Sequence, residues 1–204
     1  MNNQVKNLKE LTIELQELKQ EHNFLKVSHE KDITDYKFAK DQLQEQMKNL
    51  DAVFESSPVA MFVIDNTTNI VMTNLAFTVM CGGSESDILQ HRPGEALRCV
   101  HSHTDPRGCG YAPTCKYCNV RNGVEGLIAN GGSLHGAELE LELIRNGESG
   151  KYWMNIGVEP FNMNGQGHWC IAMDDVTQRK KAEEALRDNE LKYRALFEAS
   201  DDAI

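Results

Sequence analysis

The sequence predicts an α+β protein in which a five-stranded antiparallel sheet stands between two long helices. Three observations support this fold class. The chain begins with a long helical pattern, its middle section contains apolar residues that alternate as in strands, and it ends with a second helical pattern. The middle section has two strand patterns, then short helical segments, then three more strand patterns. This order is typical of a sheet with its helices on one face.

The first helical stretch is predicted to pair with a second copy of itself. Residues 5–54 contain no glycine and no proline, the residues that most disfavour helix interiors, and their leucines recur in a heptad pattern. We therefore expect a coiled coil over residues 1–50 that makes the protein a homodimer. His22, His29 and Asp32 occupy seam positions in the middle of this pattern. They either fix the register or form a weaker joint that responds to pH.

The middle section opens with a hairpin pattern. Residues 59–65 and 69–74 are short apolar runs separated by Asn-Thr-Thr, which predicts two antiparallel strands. A short helix is expected to follow and to end at Gly82. A longer helix is expected over residues 119–130, although two glycines weaken it.

Three alternating segments follow, and each predicts a strand with one buried face. Their apolar positions are, in order, Ala137, Leu139, Leu141 and Leu143; Tyr152, Met154, Ile156 and Val158; and Trp169, Ile171 and Met173. The last of these segments leads directly into the second long helix, whose start Asp175 or Thr177 can cap.

Composition excludes several classes of partner. The formal net charge is -10, so binding to nucleic acid, which is a polyanion, is not expected. The chain contains no apolar stretch of the length of a membrane span, and its first residues lack the apolar core of a signal peptide. We therefore expect a cytoplasmic protein without membrane contact in this part of the chain. In a reducing cytosol, cysteines bind metal or act in redox chemistry more often than they form stable disulfides.

Residues 98–118 contain four cysteines with the spacing C-x9-C-x5-C-x2-C. Two cysteines separated by two residues can hold one metal together, and the other two would complete a four-thiolate site. The surrounding residues 91–121 carry five basic and two acidic side chains, and this local positive charge offsets the negative charge of thiolates. The four candidate ligands are Cys99, Cys109, Cys115 and Cys118.

Two quoted segments resemble the ends of a PAS domain. These are VFESSPVAMFVID near the start of the middle section and MDDVTQRKKAEEAL at its end, and the resemblance covers residues 51–177. The final residues, LKYRALFEASDDAI, resemble the opening of a second PAS domain that would begin at 198–204, with 178–197 as an output linker helix. The resemblance implies part of a multi-PAS signalling protein, usually a sensor histidine kinase and less often a cyclic-di-nucleotide enzyme.

The resemblance also implies a sensing pocket between the sheet and its short helices, where the four cysteines would lie. They could hold an iron–sulfur cluster, which we prefer, or a structural zinc ion, with His101 or His103 as substitutes for one cysteine. A reduced set of cysteines without metal is the third alternative. Haem and flavin are not expected: Asn119 stands where a c-type haem motif needs histidine, 119–130 contains no histidine, and the flavin-photosensor segment is missing.

Together these features predict a sensor module, linked to redox state, oxygen or metal, that passes its signal through coiled-coil helices to an output domain such as a histidine kinase. The sequence contains no kinase phosphoacceptor or ATP-binding motif, so no enzymatic activity is expected of this part. The alternative is a PAS scaffold that zinc stabilises and whose only task is dimerisation.

Overall fold

The structure is a computed structural model that describes residues 2–201, with side chains described for residues 11–194. The helices are α1 (Asn2–Ser56), α2 (Leu75–Cys81), α3 (Glu85–Ile88), α4 (Pro93–Ala96), α5 (Asn119–Asn130) and α6 (Thr177–Asp201). The strands are β1 (Ala60–Ile64), β2 (Ile70–Thr73), β3 (Leu134–Arg145), β4 (Glu148–Met163) and β5 (Gln166–Asp175). Two short 3₁₀ turns, Val100–His103 and Pro113–Tyr117, lie between α4 and α5.

The chain divides into two compact units, Met1–Val53 and Phe54–Ile204. The first unit is formed by α1, which confirms the predicted long helix at the start of the chain. Within residues 11–50, the leucines of its heptad pattern are more than half exposed in the single chain: Leu11, Leu15, Leu18, Leu25, Leu43 and Leu50. A row of exposed leucines is what a coiled-coil partner would cover, and the homodimer itself stays a prediction.

The second unit contains the predicted five-stranded antiparallel sheet, with strand order β2-β1-β5-β4-β3. Strands β1 and β2 form a hairpin, and so do β3 with β4 and β4 with β5. The first and last strands of this unit, β1 and β5, are neighbours in the interior of the sheet. This pairing brings the start of the unit next to the strand that leads into α6.

The alternating residues predicted from the sequence form the buried face of the sheet. Met154, Ile156 and Val158 of β4 are at most 1% exposed, and Ile171 and Met173 of β5 are 2% exposed. The helices α2 to α5 pack against this face. The confirmed alternation therefore identifies the side of the sheet on which the core lies.

Asn74 joins three elements at one edge of the core. Its side chain is fully buried, and its Oδ1 accepts hydrogen bonds from Met61 N at 2.9 Å and Phe77 N at 3.0 Å. Its Nδ2 donates to Phe54 O at 3.1 Å and Val59 O at 2.9 Å. All the donor and acceptor groups of the buried amide are thereby engaged, which caps α2 and holds the end of α1 beside β1.

The junction between β5 and α6 is closed by side-chain hydrogen bonds. Asp175 Oδ1 accepts from Thr177 N at 3.0 Å, so Asp175 is the capping residue of the two that the sequence offered. The Thr177 hydroxyl instead accepts from Trp153 N of β4 at 2.9 Å. The start of α6 is therefore attached to the sheet.

One prediction about the chain's organisation lies partly outside the described residues. The backbone is helical to Asp201, and residues 202–204, where the start of a second PAS domain was predicted, are outside the description. Among the described residues, none of the helices combines the length and hydropathy that crossing a bilayer requires.

Candidate functional site

A cavity of about 110 Å³ lies between the buried face of the sheet and the segment from α4 to α5. All four predicted ligands line it: Cys99, Cys109, Cys115 and Cys118. The sheet contributes apolar side chains to the opposite wall, namely Phe62, Ile64, Leu141, Leu143, Ile156, Ile171 and Met173. The fold thus brings to one cavity four thiols whose consecutive spacers in the sequence are nine, five and two residues long.

Cys99 is positioned between α4 and the edge of the sheet. Its backbone N–H donates to Gly94 O at 2.7 Å, and Cys99 forms an isolated antiparallel bridge with Leu143 of β3. Its carbonyl accepts a hydrogen bond from Ser102 Oγ at 2.7 Å. These contacts hold the first cysteine against β3.

The backbone of Cys109 is held at its N–H by α4 and at its carbonyl by Arg92, the residue that precedes α4. Glu95 Oε1 accepts from Cys109 N at 3.0 Å, and Arg92 Nη1 donates to Cys109 O at 3.0 Å. The other oxygen of Glu95, Oε2, accepts from Arg92 N at 3.0 Å and caps α4. Gly108, at φ 88°, lies directly beside the Glu95 carboxylate, where a Cβ would collide with it.

Gly94 brings the backbone of α4 into contact with two cysteines. A Cβ at this position would lie 2.5 Å from Cys109 Sγ, 3.2 Å from Cys109 Cβ and 3.6 Å from Cys99 Cβ. Because real Cβ atoms do not approach other atoms as closely as 2.5 Å, any other residue at this position would displace the Cys109 side chain. Gly94 therefore allows the first two cysteines to stand close together.

Cys115 and Cys118 lie on consecutive turns at the start of α5. Cys115 is buried in the second 3₁₀ turn, and Cys118 N donates to its carbonyl at 3.1 Å. Cys118 precedes α5, and its Sγ accepts a hydrogen bond from Arg121 N at 3.5 Å. Both thiols line the cavity, and that of Cys118 lies beside the N–H groups of the first turn of α5.

Two of the five basic residues predicted to compensate thiolate charge line the cavity. Arg121 Nη1 donates to Gly110 O at 2.5 Å, and its Nε donates to Glu125 Oε1 at 2.6 Å. Arg92 is the second, held at Cys109 as described above. Among the others, Arg107 is paired with Asp105 at 2.9 Å and does not line the cavity.

Burial keeps two of the four cysteines, Cys99 and Cys109, protonated in the metal-free state. It raises the pKa of Cys109 to about 11, and it also raises the pKa of Cys99. The neighbouring cysteines raise both values further, although hydrogen bonds from backbone groups oppose the shift. In the absence of a cation these two cysteines are therefore neutral thiols at pH 7.

Of the other cysteine and histidine side chains that the sequence analysis considered, only some line the cavity. His101 lines the cavity, whereas His103 is exposed. Cys81 is the buried last residue of α2, Cys170 is half-buried, and neither lines the cavity. Within the described part of the chain, no group of three or more His, Cys, Asp or Glu side chains is arranged to hold a single metal ion in this conformation.

Sequence analysis did not single out Gly94 and Glu95. A glutamate at the third position of a helix that starts with proline is a known capping pattern, and this signal could have identified Glu95 as a cap. Its second contact, with Cys109 fourteen residues later, depends on the folded loop and leaves no mark in the sequence.

Comparisons with known proteins agree with this architecture. A family model described as a PAS domain matches residues 48–112. An RNA-binding light-oxygen-voltage receptor superposes with a TM-score of 0.50 and 20% identity, over 70% of this chain and 36% of that chain. The PAS domain of an HTR-like protein from Haloarcula marismortui gives 0.46 and 20%, over 68% of this chain and 98% of that chain.

A PAS domain from a two-component sensor histidine kinase gives a TM-score of 0.44 at 8% identity, over 65% of this chain and 97% of that chain. A search of curated proteins finds no match. The family model and the receptor structure establish that the second unit has the PAS fold, as the sequence predicted. The role of the cysteine-rich segment and the multi-PAS context stay predictions.

Proposed function

We propose that this chain is the sensor module of a larger cytoplasmic signalling protein and that its four-cysteine cavity binds an iron–sulfur cluster. A change in the redox state of the cluster would pass through the sheet to α6 and on to an output domain such as a histidine kinase. The observation that carries the proposal is the meeting of Cys99, Cys109, Cys115 and Cys118 at one internal cavity.

The cavity favours a cluster over a single zinc ion. In a zinc site four sulfurs stand about 2.3 Å from the metal and leave no space between them. Here the four cysteines border a space of about 110 Å³, which suits a centre made of several atoms. Cysteine thiolates are the usual ligands of iron–sulfur clusters.

The surroundings also suit a thiolate-bound cluster. Four thiolates carry four negative charges, and the guanidinium groups of Arg92 and Arg121 line the same cavity. The apolar wall of the sheet limits the access of water, and solvent exposure and nearby charge are two of the factors that set a cluster's reduction potential. Cluster binding would require deprotonation of the buried thiols, so it would release protons.

Two connections lead from the cavity to α6. The first is β5, because Ile171 and Met173 line the cavity and the strand ends at Asp175, beside the first turn of α6. The second is β3. The carbonyl of Arg98, the residue before Cys99, accepts a hydrogen bond from Ile144 N of β3 at 2.9 Å. The next residue of β3 is Arg145, whose Nη1 donates to Asp175 Oδ2 at 2.7 Å, at the start of α6.

The first turn of α6 is attached to the sheet by charged side chains. Arg179 and Lys180 both pair with Glu138 of β3, and the Lys180 ammonium lies 5.4 Å from the centre of the Trp153 ring. A shift of the 98–118 segment against the sheet would therefore change the contacts that orient α6. In a homodimer held through α1, the two copies of α6 would carry this change to the output domains.

The test is purification under anaerobic conditions, followed by measurement of iron, sulfide, zinc and visible absorption. We expect iron and sulfide, with loss of both in the Cys115→Ser and Cys118→Ser variants. Cys81→Ser and Cys170→Ser are matched controls that should retain the cluster, because neither residue lines the cavity. A colourless, air-stable protein with one equivalent of zinc would replace this proposal with the zinc-stabilised scaffold, and a metal-free protein would contradict both.

A further inference from the structure

The cysteine cavity shares part of its lining with a space that is open to solvent. A second, solvent-open recess of about 350 Å³ lies between the β1–β2 turn and the outer side of α5. Three residues line both spaces: Thr68, Arg92 and Glu125. The recess and the cavity therefore adjoin at these three side chains, and we call this boundary between the solvent-open recess and the cysteine cavity the mouth.

Hydrogen bonds and an ion pair hold the segments that carry the three residues of the mouth. Asp65 Oδ1 accepts from Thr67 N at 2.8 Å and from Asn69 N at 2.9 Å, which shapes the turn that carries Thr68. Arg92 is bound to the carbonyl of Cys109, and Glu125 is bound to Arg121. Since each residue of the mouth has a structural partner, the mouth belongs to the folded state and does not depend on opening of the core.

We propose that this mouth is the route by which small uncharged molecules reach the cysteine site, and that such molecules are the class of signal that the module detects. The second part rests on the proposed sensor function. The mouth carries one guanidinium and one carboxylate, so neither sign of charge predominates there. The wall behind it is apolar, and an ion that enters such a space loses its hydration and is disfavoured unless it is paired.

The test narrows the mouth from its two sides. Ala129 on α5 and Asn66 on the turn line the recess and are exposed, so Ala129→Trp and Asn66→Trp would each place an indole over it. Gly123→Trp is the matched control, because Gly123 is exposed on the same helix, lines neither space, and has no atom within 4 Å of an added Cβ.

The first measurement uses the anaerobically purified protein and dioxygen as the uncharged probe, and follows the loss of cluster absorption after admission of air. The second uses the metal-free protein and iodoacetamide, and follows alkylation of Cys115 by mass spectrometry. Cys170 serves as the internal control because it lies outside both spaces. We expect both tryptophan variants to slow the reactions by about tenfold, since only transient local opening would then admit the probe.

The outcomes separate the two proposals. Wild-type rates in both tryptophan variants, with normal Cys170 reactivity, would overturn the assignment of the mouth, as would equal slowing in Gly123→Trp. Slowed alkylation in a protein that never contains iron would support the mouth while contradicting the cluster. If one tryptophan variant fails to fold, the other decides the question from the opposite side of the recess.

Discussion

Replacing Gly94 with alanine should destabilise the cysteine site although alanine normally strengthens a helix. The added Cβ would stand 2.5 Å from Cys109 Sγ, whereas non-bonded carbon atoms settle at roughly 3.5–4.0 Å. Cys109 would have to move by about 1 Å to restore an ordinary contact. Rotation about χ1 can move Sγ, but it leaves Cys109 Cβ only 3.2 Å from the added atom, and Glu95 and Arg92 hold the backbone that carries this Cβ.

The size of the effect follows from two opposing contributions. Inserting a methyl group into a packed site costs about 1–3 kcal/mol. The gain from replacing glycine with alanine in a helix is at most about 1 kcal/mol, and α4 has only four residues, so the gain here is smaller. We therefore expect the free energy of unfolding to fall by about 1–2 kcal/mol.

The assay is urea unfolding followed by circular dichroism, together with the iron content of the anaerobic protein. Gly126→Ala on α5 is the control, because nothing lies within 4 Å of its added Cβ, and it should raise stability by about 0.5–1 kcal/mol. Gly94→Ala should also lower the iron content, since Cys109 is displaced. Equal stability of the two alanine variants, with unchanged iron, would refute the packing argument at Gly94.

Three further predictions concern other parts of the chain. Replacing His22 and His29 with leucine should raise the melting temperature of α1, measured by circular dichroism, because apolar side chains suit seam positions; a lower temperature would mean that the register is wrong. Burial raises the pKa of Cys81 to about 12, so iodoacetamide at pH 8 should modify Cys81 only after unfolding, and rapid labelling of the folded protein would contradict its placement in the core. Burial raises the pKa of Asp175, but hydrogen bonds from Thr177 and Arg145 outweigh this effect and hold the pKa below its usual value of 3.8. The carboxylate therefore contributes stability that is present above pH 3.8 and is lost as the pH falls through its lower folded-state pKa. Asp175→Asn should cost about 1–3 kcal/mol at pH 7 in urea unfolding and should reduce the sensitivity to acid, whereas an unchanged acid profile would contradict this role.

The strands and the long helices could be predicted because their signals are local. Residues two apart share a face of a strand, so alternating Met154, Ile156 and Val158 identify the buried side of β4 without any knowledge of its neighbours. The absence of glycine and proline over 5–54 identifies α1 in the same way. Neighbouring residues alone could not decide whether Asp175 or Thr177 caps α6, because the Thr177 hydroxyl is engaged by Trp153 of β4, which is distant in the sequence.

The candidate site was predictable in its residues but only partly in its form. Four cysteines within 21 residues identify a candidate ligand set by chemistry alone. The two histidines beside them look equivalent in the sequence, yet His101 lines the cavity and His103 is exposed, since the 3₁₀ turn points them in different directions. The mouth at Thr68, Arg92 and Glu125 could not be predicted, because its members come from three separate segments.

The sequence by itself determined the fold class, the faces of the strands and the identity of the four thiols, because periodicity and residue chemistry act over a few neighbouring positions. Only the tertiary structure decided that these thiols share one cavity and that this cavity borders the strand leading into α6. The spacers of nine and five residues can adopt many paths. The selection of one path depends on contacts between distant segments, such as Glu95 with Cys109 and Arg98 with Ile144, which form only when the segment packs against the sheet.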